Sequence, residues 1–130
     1  MKTTYHFSTR VYLLVLTLSL LGLLTSPGLI YADSPQDVVL SYNMETQVLT
    51  VSVTHKTTFT GLHYVKQIDI KKNGTTVGTY PFKSQPEKKT FTSTYEVPAG
   101  TGDVLEVNAI CNLQGNKTAT LTLTAGEAKN

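Results

Sequence analysis

From residue 38 onward apolar and polar side chains alternate in short runs, the period-2 mark of strands that bury one face. Leu49, Val51, Val53 and His55 share one parity, and Leu105, Val107, Ala109 and Cys111 share one in a later run. No long apolar pattern at helical spacing interrupts them. With turn chemistry read between the runs, strands are expected at 38–42, 48–55, 64–72, 75–82, 89–97, 104–111 and 119–125. Asn73-Gly74, between the third and fourth, is the strongest hairpin signal, because both residues accept positive φ. Seventeen threonines after Ala32 suit pleated, half-exposed strands. The spacing predicts an all-β fold, an immunoglobulin-like antiparallel β-sandwich of about seven strands, with a frayed tail at 126–130.

The first 32 residues follow another pattern. Lys2 and Arg10 precede a 14-residue apolar run, 11–24, then Pro27-Gly28 and the small-residue site Ile30-Tyr31-Ala32. A signal peptide at 1–32 and export to the periplasm or the cell exterior are expected. The run falls short of the roughly 20 residues a membrane span needs. No cysteine stands at the cleavage site to carry a lipid. Residues 33–130, 98 in all, then form one domain with one core.

Removal of Lys2 and Arg10 changes the charge picture. The remaining nine lysines balance nine carboxylates, so the whole-chain excess of +2 belongs to the leader. Neither nucleic acid nor an anionic membrane is expected as a partner. A single cysteine, Cys111, excludes an internal disulfide, although self-association stays open. A lone thiol in an oxidising compartment needs burial, a partner chain or a metal.

His55 ends an inward row, a polar loop at 56–61 follows, and the chain returns at His63. Cys111 ends another inward row, directly before the turn Asn112-Leu113-Gln114-Gly115. Two rim imidazoles and one thiolate could meet on a single iron, copper or zinc. On the residues alone, an inert buried cysteine with two surface histidines explains the same pattern.

The segment Val51-Ser52-Val53-Thr54-His55, the loop, and His63-Tyr64-Val65-Lys66-Gln67-Ile68-Asp69-Ile70 resemble the iron-binding domain of desulfoferrodoxins and superoxide reductases. Cys111-Asn112-Leu113-Gln114-Gly115 is similar to that family's Cys-Asn-x-His-Gly signature at all but one position. The resemblance spans roughly residues 38–123 and implies a sandwich fold. It also implies ferrous iron (Fe2+/Fe3+) on four equatorial histidines and an axial thiolate, with superoxide reduced opposite the sulfur. His55 and His63 correspond to two equatorial ligands and Cys111 to the axial one. Gln114 stands where the family has its last histidine, and Ser34-Pro35-Gln36-Asp37 replaces its Glu-Lys-His segment, so three of five ligands are carried over. Gln114 or water is expected to fill other positions. Superoxide and an unidentified electron donor are the implied partners, and the chain has no cysteines for a rubredoxin-like second centre.

The span 64–77, with Gly102-Asp103 and the 112–115 turn, is also similar to the Z subunit of the sulfur-oxidation carrier complex. That resemblance implies a metal-free exported sandwich that binds a partner protein. A solute-binding or adhesive sandwich is the third reading. Tyr42, Tyr64, Tyr80 and Tyr95 are expected to pack at the core or rim. Lys71-Lys72 and Lys88-Lys89 are expected beside turns and on an edge strand, where charge discourages edge pairing. Asn73-Gly74-Thr75 and Asn116-Lys117-Thr118 match the glycosylation pattern, yet each asparagine also suits a turn.

Overall fold

The computed structural model describes Val11, Leu16 and residues 34–125. The signal-peptide expectation at 1–32 (Val11 and Leu16 excepted) and the frayed tail at 126–130 lie outside the described residues. Seven strands form in chain order: β1 (Asp37–Asn43), β2 (Val48–Thr54), β3 (Val65–Lys72), β4 (Thr75–Pro81), β5 (Thr90–Glu96), β6 (Val104–Cys111) and β7 (Asn116–Thr122). They make two antiparallel sheets, one of three strands in the order β1-β2-β5 and one of four in the order β4-β3-β6-β7. The immunoglobulin-like sandwich read from the alternation is the fold observed.

Alternation decides what each strand buries. In β2, Leu49, Val51 and Val53 point inward with no exposed surface, and Leu105, Val107 and Ala109 of β6 do the same from the facing sheet. Ile68 and Ile70 of β3, with Phe91 and Tyr95 of β5, complete the layer between the sheets. Each such side chain contributes about 1.5–3 kcal/mol of transfer free energy when fully buried. The central strands therefore fix the register, since a one-residue slip would turn every one of these groups to solvent.

Asn73 and Gly74 adopt φ of 50° and 80°, so the third and fourth strands join through the expected two-residue turn. The last strand departs from the expectation: β7 is Asn116–Thr122, three residues earlier than 119–125 at both ends. The cause is the tightness of the preceding turn. Gly115 takes φ of 80° and its carbonyl accepts the Cys111 N–H at 3.0 Å, so pairing begins at once with Ile110 opposite Asn116. Asn116 is thus an exposed strand residue and not a turn residue. Lys71 and Lys72 lie on β3, an interior strand of its sheet, where Lys71 pairs with Glu106 at 3.1 Å. Lys88 and Lys89 do precede β5, which is an edge strand.

Tyr42 and Tyr95 are buried, and Tyr80 and Tyr64 are half-buried, as expected of packing residues. The Tyr42 hydroxyl donates to the Val97 carbonyl at 2.6 Å and accepts the Ala99 N–H at 3.1 Å, pinning the 97–102 connection to β1. Tyr42→Phe should cost about 1–2 kcal/mol, because two backbone groups lose a buried partner. Urea denaturation, with the midpoint lowered and the slope unchanged, checks this outcome.

Candidate metal centre

β2 ends where β3 begins and where β6 ends. Val65 of β3 stands opposite Cys111 of β6, and Thr54 of β2 stands opposite Thr90 of β5. One end of the sandwich therefore receives His55 from one sheet and Cys111 from the other. Both stay inward, as their parity dictates: His55 has no exposed surface and Cys111 has 3 %. His63 arrives from a tight turn in which the Leu62 and His63 N–H groups both bond the Phe59 carbonyl at 3.0 Å.

The three side chains meet. His55 Nε2 lies 3.1 Å from His63 Nε2, with the rings edge to face at 78°. The ligand atoms of His55, His63 and Cys111 all lie within 4.8 Å of one another, so the group could hold one metal ion. Two nitrogens at that separation match two metal–nitrogen bonds of roughly 2.0–2.1 Å meeting a little above a right angle. Among the described residues no further His, Cys, Asp or Glu joins the group. The donor set of two imidazoles and one sulfur fits a mononuclear copper, zinc or iron ion with positions left for water or substrate.

Asparagine and backbone groups hold the donors in place. The Asn112 side chain accepts the Tyr64 N–H at 2.9 Å and donates to the Leu62 carbonyl at 2.9 Å, bracing the chain on both sides of His63. The Leu113 N–H donates to Cys111 Sγ at 3.4 Å, which fixes the sulfur against the turn. Gly115 is needed for two reasons. Its φ of 80° disfavours side chains, and a Cβ there would collide with the side chain of Ser34.

Gln114 is exposed in this turn. The glutamine tied into the site is Gln85, 3 % exposed, whose Oε1 lies 2.7 Å from His55 Nδ1. Gln85 is a residue that the sequence reading missed. It sits in the loop between β4 and β5, outside any alternating run, and its only local signal is the extended backbone that Pro86 favours. The segment that replaces the family's Glu-Lys-His passes the same end, with the Gln36 N–H on the Thr54 carbonyl at 2.8 Å, and brings no imidazole.

Comparison with protein-family models finds no match, and neither does comparison with curated proteins. Among solved structures, the chain is similar to a superoxide reductase (neelaredoxin) from Ignicoccus hospitalis, with a TM-score of 0.46 and 16 % identity. The likeness covers 74 % of this chain and 85 % of that one.

Proposed function

We propose that this is an exported mononuclear metal protein that carries out one-electron chemistry at His55, His63 and Cys111, reducing superoxide in the manner of the family its motifs resemble. The convergence of the three donor atoms within 4.8 Å carries this reading. Bound iron would pass one electron to superoxide, which leaves as hydrogen peroxide after taking two protons; a reducing protein partner must return the electron. The chain's own residues supply the rest. His55 and Cys111 would hold the ion from inside the sandwich, and half-buried His63 would close it from the rim.

Lys56, Lys66, Lys83, Lys88 and Lys89 are exposed on segments whose backbone pairing brings them to this end, and Asp37 and Glu87 lie on segments there too. Such a cationic rim raises the local concentration of a small anion and its encounter rate. Copper is the second reading, favoured by the donor count: two imidazoles and one thiolate with a backbone N–H on the sulfur form the trigonal set of copper electron carriers.

The test uses mature protein purified without oxygen, loaded with Fe(II), freed of excess and assayed for bound metal and visible spectrum. One iron per chain, a thiolate-to-ferric band on oxidation and superoxide consumption are expected. Stoichiometric copper without retained iron would shift the chemistry to electron carriage. Failure of iron, copper and zinc alike would overturn the metal reading and leave a protein-binding sandwich.

A further inference from the structure

Gln85 has its amide orientation set by the backbone around it. Nε2 lies 2.8 Å from the His55 carbonyl and 2.6 Å from the Glu87 carbonyl, two groups that can only accept. Oε1 faces the Val65 N–H at 3.4 Å, a group that can only donate. Exchanging oxygen and nitrogen would set the amide oxygen against two carbonyl oxygens and its NH2 against an N–H. Oxygen is therefore the atom 2.7 Å from His55 Nδ1, and an amide oxygen carries no proton to give.

We infer that Gln85 is a positioning residue that locks His55 in its Nδ1–H tautomer and so turns the Nε2 lone pair toward His63 and the site. Which ring nitrogen can ligate is set by the hydrogen bond that the other one makes. The histidine side chain in water favours the Nε2–H tautomer, so the protein must impose this one. The consequence runs on to the second ring. With a lone pair on His55 Nε2, His63 Nε2 at 3.1 Å is the donor and carries its proton when no ion is bound. Were an ion held by both Nε2 atoms, the His63 proton would have to move to Nδ1, with no change in the number of protons on the ring. Gln85 suits this place better than a carboxylate, which could accept from His55 but not donate to the two carbonyls. Its backbone N–H also bonds the Thr60 carbonyl at 2.9 Å, which joins the β4–β5 loop to the His63 loop.

The tautomer itself does not depend on the metal reading; its role in ion uptake does. Long-range proton–nitrogen correlation spectra of the 15N-histidine mature protein, metal-free, report the tautomer directly. The wild type should show His55 protonated at Nδ1 and His63 at Nε2. Gln85→Leu should release His55 toward Nε2–H, and Gln85→Glu, which keeps the acceptor, should restore Nδ1–H. With zinc as the probe, affinity should fall about 10–100-fold in Gln85→Leu, the usual cost of losing a group behind a ligand. An Nε2–H tautomer of His55 in the wild type, or a tautomer unmoved in Gln85→Leu, overturns the assignment. Should Gln85→Leu fail to fold, the wild-type spectrum still decides. If wild-type protein holds no ion while the tautomer is as stated, the metal reading fails and the role of Gln85 in ordering the two rings survives.

Discussion

Cys111→Ser should abolish the metal centre while the sandwich stays folded. Cys111 closes the buried row Leu105, Val107, Ala109 of β6, so serine enters a space 3 % exposed with nearly the same volume. Burying a hydroxyl without a partner costs about 1–3 kcal/mol in mutational data. Here the Leu113 N–H, 3.4 Å from the sulfur, is placed to bond the new oxygen, so the loss should sit at the low end of that range. The functional loss is of another order. The thiolate is the donor that can carry negative charge to the ion, and its removal leaves two neutral imidazoles. Retained metal should fall to background and the thiolate-to-metal band should vanish, both measured on protein whose denaturation midpoint is close to that of the wild type. Full metal retention with an unchanged spectrum would take Cys111 out of the site.

This pair of effects follows from where the fold puts the sulfur. Cys111 belongs at once to the core, by its inward parity on β6, and to the proposed metal site, by standing at the strand's last position. His55 is placed in the same way one residue past β2. That much was legible in the sequence, because parity is a local property: a residue two positions from Val53 or Ala109 faces the same way. The meeting of the rows was not legible from alternation, since it depends on β2 and β6 lying in different sheets with their ends aligned. The resemblance to a known motif pattern supplied that link for His55, His63 and Cys111.

What the sequence hid is of another physical kind. Gln85 and Asn112 act through hydrogen bonds across 30 and 48 residues, and no periodicity marks such partners. The start of β7 was misplaced because this strand, like β4, lies at a sheet edge and is mostly exposed, so its apolar alternation is faint. The turn before it needs Gly115, whose φ is positive and where Ser34, far off in the chain, leaves no room for a Cβ. Gln114 drew attention because it occupies a motif position, yet the fold turns it to solvent.

The brace on His63 gives the second large effect. His63 is only half-buried and lies in a loop, so packing alone does not fix its ring as it fixes that of His55. The Asn112 side chain holds the residues on either side of it, Leu62 through its carbonyl and Tyr64 through its N–H, each at 2.9 Å. Asn112→Leu removes both bonds at once. Solvent reaches part of this rim, so water replaces some of what is lost, and a net cost of about 1–2 kcal/mol in stability is expected. Affinity for the bound ion should drop by about 10–100-fold, as when other groups that orient metal ligands are removed. Asn112→Asp keeps the acceptor for the Tyr64 N–H but loses the donor to the Leu62 carbonyl, and should fall between the two. Chelator competition measures the affinities, and the spectrum identifies what remains: Cys111 is still in place, so the thiolate band should persist in the fraction that binds. An affinity unchanged in Asn112→Leu would mean that backbone bonds alone, to the Phe59 carbonyl and from the Asn112 N–H to the Tyr64 carbonyl, set His63. A lost thiolate band would mean instead that Asn112 acts on the Cys111 turn, to which its own backbone belongs.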